Sequence, residues 1–300
     1  MNAIETHGLT KHFGKQTAVD DLSMSIPAGS IAGFIGPNGA GKTTTLRLLL
    51  GLVRPNAGIA TVLGCALTEP DRYLPRVGAL IEAPAFYPSL SGRTNLEVLA
   101  LLGGHRGSRV NEMLETVDLS GRAGDRVGTY SLGMKQRLGV AMALLPDPDL
   151  LVLDEPANGL DPLGIVEMRE LLRGLRDKGK TIVLSSHLLG ELEHVADWLV
   201  MLHNGKALFC GSASDLLAQR VELVVEPQDA VQRELITAVA NQAGYAVTQE
   251  SQTLRITCPA AFADTLKRLA NEAGAVDLTI RAQEASLEQI FLALVKGEQS

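Results

Sequence analysis

Gly36-Pro37-Asn38-Gly39-Ala40-Gly41-Lys42-Thr43-Thr44 is the stretch from which the rest of the sequence can be read. It fits G-x-x-x-x-G-K-[ST], a loop whose backbone N–H groups wrap nucleotide phosphates. Its flanks agree with that reading. Ile31-Ala32-Gly33-Phe34-Ile35 before it is a short apolar run that reads as a buried strand. After it, Leu46, Leu48, Leu49, Leu50 and Leu52 continue as a helix with a wide apolar face. Strand, glycine loop and helix in that order aim a helix N-terminus at an anion. The glycines let backbone come close to oxygens that a β-carbon would block. In such a loop Lys42 reaches the β- and γ-phosphates and the Thr43 hydroxyl ligates Mg2+. Gly36, Pro37, Asn38, Gly39, Ala40, Gly41 and Thr44 complete the cradle.

Outward from the loop, residues 1–30 look β-rich, with Leu22-Ser23-Met24-Ser25-Ile26 alternating before Pro27-Ala28-Gly29 turns the chain. Gly58–Leu63 reads as a further strand. From about 85 to 145 the pattern is helical. Thr94-Asn95-Leu96-Glu97 has the form of a capping box opening one helix; a second runs near Arg109–Val117, and a third starts after Ser131 as its N-cap. The continuous apolar runs Leu150–Leu153 and Thr181–Leu184, with a helix over Pro162–Asp177 between them, indicate a parallel α/β sheet. Trp198–Leu202 and Ala207–Phe209 flank Asn204-Gly205 as a hairpin. Beyond about residue 218 the order becomes β-α-β-β-α-β: strand Val221–Val225, helix Ala230–Gln242, strands Tyr245–Thr248 and Leu254–Thr257, helix Ala260–Ala273 and strand Val276–Ile280. That order suggests a small α+β domain. Ser286–Val295 follows with apolar residues at helical spacing.

The 300 residues allow about two domains. The apolar content of 46% suits real cores, and the net charge of −7 argues against general adhesion to nucleic acid or anionic lipid. Cys65, Cys210 and Cys258 are far apart and form no C-x-x-C pair, so they read as ordinary reduced thiols. The N-terminus lacks a basic segment followed by an apolar core, and no apolar run approaches a membrane span. The expectation is a chain that is soluble or docks on a membrane through another protein.

Further motifs narrow the reading. Leu150-Leu151-Val152-Leu153-Asp154-Glu155 carries acids out at a strand's C-terminal end, where open α/β sheets bind ligands. In Tyr130-Ser131-Leu132-Gly133-Met134-Lys135-Gln136-Arg137, Ser131 caps a helix, Gly133 permits close approach, and the helix dipole favours phosphate. Asn158-Gly159-Leu160-Asp161-Pro162 and Val183-Leu184-Ser185-Ser186-His187 follow. In order and spacing, from about residue 2 to 215, these motifs resemble the ATP-binding subunit of an ABC transporter. The resemblance implies an α/β fold, a P-loop NTPase of the ABC ATPase type. Its mixed sheet has an N-terminal antiparallel β part and a helical subdomain inserted at about 85–145. It would fill residues 1–218, with residues 219–300 as an accessory α+β domain.

The same resemblance assigns roles. Asp154 would hold Mg2+ as in a Walker B strand, Glu155 would be the general base, and His187 the switch histidine contacting the γ-phosphate. Ser131 and Gly133 would meet ATP held by a second copy, although Tyr130, Leu132, Met134 and Lys135 depart from the usual Leu-Ser-Gly-Gly-Gln. Asn158–Pro162 resembles the D-loop crossing that interface. Phe13 sits where the family stacks an aromatic on adenine. Glu82 stands where the family has the Q-loop glutamine; a carboxylate there can reach Mg2+ but adds negative charge beside phosphates. Glu82, the altered signature and Ser286-Leu287-Glu288-Gln289-Ile290-Phe291 together are similar to the bacterial exporter ATPases of the bacitracin- and lantibiotic-resistance type.

The expectation is therefore an ATPase using ATP and Mg2+ that drives transport, with export of a peptide antibiotic or other amphipathic compound as the direction the branch resemblance implies. It would work as a head-to-tail dimer with a separate integral membrane permease, peripheral on the cytoplasmic face of the cell membrane, with no nucleic acid partner. Two alternatives stay open. One is a soluble ABC-type ATPase of DNA repair or translation, which a salt-sensitive DNA or ribosome association would reveal. The other is a non-hydrolysing nucleotide sensor, which phosphate release would exclude.

Overall fold

The computed structural model describes residues 1–82, 85–245, 247–250, 252–259, 261–272 and 279–297. The chain opens with two long strands, β1 (Asn2–Phe13) and β2 (Gln16–Pro27); β2 buries Val19, Leu22, Met24 and Ile26. Strand β3 (Ile31–Ile35) is buried at every position and leads through the glycine loop into α1 (Lys42–Leu49). Strands β4 (Ala57–Val62) and β5 (Cys65–Ala66), the short α2 (Pro70–Tyr73) and β6 (Val77–Leu80) follow. Helices α3 (Gly92–Leu102), α4 (Ser108–Thr116) and α5 (Leu132–Leu144) form the inserted helical segment. The chain then returns to β7 (Leu150–Asp154), α6 (Pro162–Asp177), β8 (Thr181–Ser186), α7 (Leu189–Val195), β9 (Trp198–His203) and β10 (Lys206–Ser212).

These strands make two sheets. The N-terminal one is antiparallel in the order β2-β1-β4-β5. The other runs β10-β9-β3-β8-β7-β6, and β9, β3, β8, β7 and β6 are parallel in it. Strands covered on both faces lose the in-out alternation of a half-exposed strand, and every residue of β3, β7 and β8 is buried. The Asn204-Gly205 turn has φ of 48° and 82°, the doubly positive pair that suits a tight hairpin between β9 and β10.

One apolar core joins the two sheets through α1. Leu46, Leu48 and Leu49 pack among Ile4, Leu9 and Ile26 of the antiparallel sheet and Phe34, Val152 and Val183 of the parallel one. Each such side chain contributes roughly 1.5–3 kcal/mol when fully buried. The helix behind the phosphate loop is thus held on several sides.

The entry to α3 differs from the sequence expectation. Its N-cap is Ser91, whose Oγ accepts from the Thr94 N–H at 3.0 Å, so Thr94 lies inside the first turn and is not the cap. Ser91 also accepts from the Asn95 N–H through its carbonyl at 3.0 Å. Ser91→Ala should cost about 1 kcal/mol, the usual value of an N-cap, read from the urea midpoint at unchanged m-value. Ser131 caps α5 as expected, accepting from the Met134 N–H at 3.2 Å.

The described residues fall into two compact units, Met1–Cys210 and Gly211–Ser300. The second begins with α8 (Ala213–Gln219) and β11 (Arg220–Glu226). It continues through α9 (Ala230–Gln242), β12 (Val247–Glu250), β13 (Thr253–Pro259), α10 (Phe262–Glu272), β14 (Thr279–Glu284) and α11 (Leu287–Gly297). Its sheet is antiparallel, ordered β12-β13-β11-β14. The strand expected at Tyr245–Thr248 starts two residues later, after Gly244 at φ 81° turns the chain. Of the expected helix Ala260–Ala273 the two end residues lie outside the described residues. So do residues 276–278 of the strand expected at Val276–Ile280, and Ala83 and Pro84 beside Glu82.

One face of this sheet packs Leu223, Val225, Leu254 and Ile256 against Ile236 of α9 and Leu266 of α10. Cys258 lies in that core, and burial pushes its thiol up to about 11, which leaves it protonated and inert. Glu222, a neighbour of Leu223 on β11, is also buried; its carboxylate accepts from Arg255, Gln283 and Gln289. Gln289 in turn closes a capping box with Ser286: the Ser286 N–H donates to Gln289 Oε1 at 2.8 Å and the Gln289 N–H to Ser286 Oγ at 3.3 Å. Ser286-Leu287-Glu288-Gln289 is thus the start of α11, tied to the sheet by a buried acid. Among the described residues no helix is long and apolar enough to cross a membrane.

Candidate functional site

Parallel pairing brings the ends of three strands to one edge. Ile35 lies opposite Ser186 and Asp154 opposite Ser185, so the loop after β3, the acids after β7 and the histidine after β8 emerge together. This is the carboxyl edge at which open α/β sheets take their ligands.

The loop is shaped by its own backbone and by a neighbour. Gly41, the residue before α1, has φ of 103°, and a Cβ there would lie 2.5 Å from the Ala18 carbonyl oxygen. A side chain at this position therefore meets both strain and collision. The Gly205 N–H donates to the Ala40 carbonyl at 3.1 Å, while the Gly205 carbonyl accepts from the Asp20 N–H at 2.9 Å. The tip of the β9–β10 hairpin thereby props the loop against β2.

Lys42 folds back over the loop. Its Nζ donates to the Gly36 carbonyl at 2.6 Å and the Pro37 carbonyl at 3.3 Å, and the residue is 7% exposed. Burial lowers the pKa of its amine, partly offset by the nearby Glu155 and Asp154 carboxylates. The amine is a concentrated charge at the point where the loop opens.

Opposite it, Thr43 Oγ1 donates to Asp154 at 3.0 Å to Oδ2 and 3.3 Å to Oδ1. Asp154 is itself buried and also accepts from the Ser185 hydroxyl. Ser185 accepts the Glu155 N–H through Oγ at 3.0 Å and through its carbonyl at 3.2 Å. It fixes both acids at once. Glu155 has φ of 51°, rare for a side chain of its size and an added local cost that aims the carboxylate off the strand end. Glu155 Oε2 lies 2.7 Å from His187 Nδ1 and accepts from the His187 N–H at 3.4 Å.

These groups suit a Mg2+–nucleotide pair. Thr43 and Asp154 offer a hydroxyl and one carboxylate, hard oxygen donors, and the described residues contain no cluster of three or more His, Cys, Asp or Glu that could cage a metal alone. Mg2+ keeps waters and substrate phosphates around one or two carboxylates, so such a sparse set fits it. The α1 N-terminus and the Lys42 amine supply the complementary positive charge.

Other residues singled out in the sequence lie elsewhere. Phe13 is half-exposed where β1 turns into β2, with Lys11 Nζ 5.1 Å from its ring centroid. Ser131 and Gly133 open α5 against the Asn158–Asp161 segment: a Cβ on Gly159 would meet Leu132 at 2.8 Å and one on Gly133 would meet Leu160 at 3.7 Å. Asp161 caps α6, accepting from the Gly164 N–H at 2.9 Å. Glu82, at φ 65°, is ion-paired with Arg47 of α1. Sequence reasoning missed Arg47 and Gly205, and did not assign Ser185 its part in holding both acids. For Ser185 a signal existed, since a serine ending a strand beside an acid-tipped strand is placed to bond that acid.

The family model described as "ABC transporter" matches residues 19–158. The bacitracin transport ATP-binding protein BcrA of Bacillus licheniformis is 40% identical over 300 residues, covering 98% of this chain and 97% of that one, so the likeness runs through both units. The lantibiotic transport ATP-binding protein SrtF of Streptococcus pyogenes is 40% identical over 205 residues, covering 68% of this chain and 89% of its own. A solved ATP-binding subunit of an ABC transporter superposes with a TM-score of 0.63 at 30% identity, over 71% of this chain and 91% of the other.

Proposed function

The chain belongs to the ATP-binding subunits of ABC transporters, and from that premise we propose that it powers export of a peptide antibiotic or similar amphipathic compound through a separate membrane permease. The observation that carries the ATPase reading is the meeting of Lys42, the Thr43–Asp154 pair and the Glu155–His187 pair at one sheet edge. The export reading rests on the likeness to the bacitracin and lantibiotic transport ATP-binding proteins.

ATP with Mg2+, once bound, supplies the phosphoanhydride bond to be broken. Lys42 turns from the loop carbonyls to the phosphate oxygens and offsets charge there, and the loop N–H groups hold the same oxygens in line. Thr43 and Asp154 are the metal-holding side chains, and Glu82 is a further candidate for them. Glu155 takes the proton of the attacking water on its carboxylate, while His187 at Oε2 fixes that carboxylate's direction. Phe13 offers its exposed face to adenine. Ser131 and Gly133 complete the site of a second copy, so two chains act head to tail, each on the peripheral, cytoplasmic side of the membrane. Residues 1–218 carry this chemistry and residues 219–300 form the accessory domain.

Affinity purification of the full chain from detergent-solubilised native membranes should bring down an integral membrane protein in stoichiometric amount, and reconstitution of the pair should yield ATPase activity dependent on both. Recovery of ribosomes or DNA with no integral protein would replace transport with the soluble-ATPase reading.

A further inference from the structure

The Arg47–Glu82 ion pair joins two positions of the site that no step above uses together. Thr43 and Arg47 are four residues apart on α1, so they share one face of the helix, just over one turn or about 6 Å along its axis. Thr43 is bonded to Asp154. Glu82 reaches the same helix face from beyond β6 and closes on Arg47. Its carboxylate is thereby tied to the helix that carries Thr43, through an arginine four residues on from that hydroxyl. Both partners are open to solvent, with side chains 38% and 65% exposed, so burial does not lock the pair. Exposed ion pairs are weak and readily exchanged. The pair also answers a problem of charge: an acid beside a triphosphate is unfavourable unless a cation claims it, and here the guanidinium does.

We propose that Arg47 is a positioning residue that competes with the divalent cation for Glu82. Without the cation Glu82 is held by Arg47; when the cation arrives beside Thr43 and Asp154, the Glu82 carboxylate changes partner. The proposal rests on the nucleotide-site reading above and adds a role for Arg47 that the reading does not contain. Arg47 thereby makes the partner of Glu82 depend on whether the metal is present.

The test uses the full chain, Mn2+ as the cation and a non-hydrolysable ATP analogue, with free Mn2+ counted by electron paramagnetic resonance, so that turnover plays no part. Removing the competitor in Arg47→Gln should tighten Mn2+ binding by about threefold, within what an exposed ion pair is worth. Arg47→Lys should stay close to wild type. In a Glu82→Gln background, where the side chain no longer carries the charge that Arg47 claims, Arg47→Gln should leave the Mn2+ midpoint where it was. An equal shift in both backgrounds, or no shift with Glu82 present, overturns the competition while leaving nucleotide binding intact. A wild-type chain that binds neither analogue nor Mn2+ overturns the nucleotide reading itself and the proposal with it.

Discussion

Glu155→Gln should abolish most ATP turnover, by about a hundredfold to ten-thousandfold, the range over which a positioned base acts. The substitution keeps side-chain length and shape and removes only the ability to take a proton. Because glutamine and glutamate are alike in their dislike of positive φ, the strain at φ 51° is unchanged, and any loss reads on chemistry and not on folding. His187 Nδ1 can still meet the amide oxygen, so the site's outline persists. ATP binding should survive, and with hydrolysis blocked the chain should accumulate as an ATP-held dimer. Single-turnover phosphate release with and without the substitution, alongside light scattering in ATP, measures both effects. Normal turnover in the variant would remove Glu155 from the role of base.

Lys42→Ala should lower turnover by about two to three orders of magnitude, as loss of one preorganised donor to developing charge does elsewhere. Two losses combine. The phosphates lose a fixed cation, and the Gly36 and Pro37 carbonyls lose the amine that bonds them, so the loop itself slackens. Titration of a fluorescent ATP analogue separates these from a folding defect, provided the melting midpoint is recorded with it. Wild-type turnover in this variant would refute the place given to Lys42.

The sequence revealed most where a single local pattern has one physical meaning. A glycine loop between an apolar strand and a leucine-rich helix, or an apolar run ending in two acids, leaves few alternatives. It revealed less where two local patterns compete. Ser91-x-x-Thr94 and Thr94-x-x-Glu97 both look like helix starts, and only the backbone at Ser91, at φ −69° and ψ 160°, decides between them. It revealed least where the meaning is a distant pairing. Nothing local to Arg47 announces Glu82, 35 residues on, and nothing local to Gly205 announces Ala40. Glu222 reads as an ordinary solvated strand residue until Arg255, Gln283 and Gln289 are seen around it. The Ser286–Gln289 motif marked a branch resemblance, but its physical content, a helix start latched to that buried acid, needed coordinates.

The enclosure of α1 between two sheets has a mechanical meaning. A leucine-lined rod gripped by close-packed neighbours on several sides yields little, because shifting it would open voids along its whole length. Compliance must then reside in parts anchored more lightly, such as the end of α3, whose outward leucines Leu101 and Leu102 are 81% and 78% exposed. The stroke of such an engine would be taken up at its periphery, with the fuel seat acting as the fixed bearing.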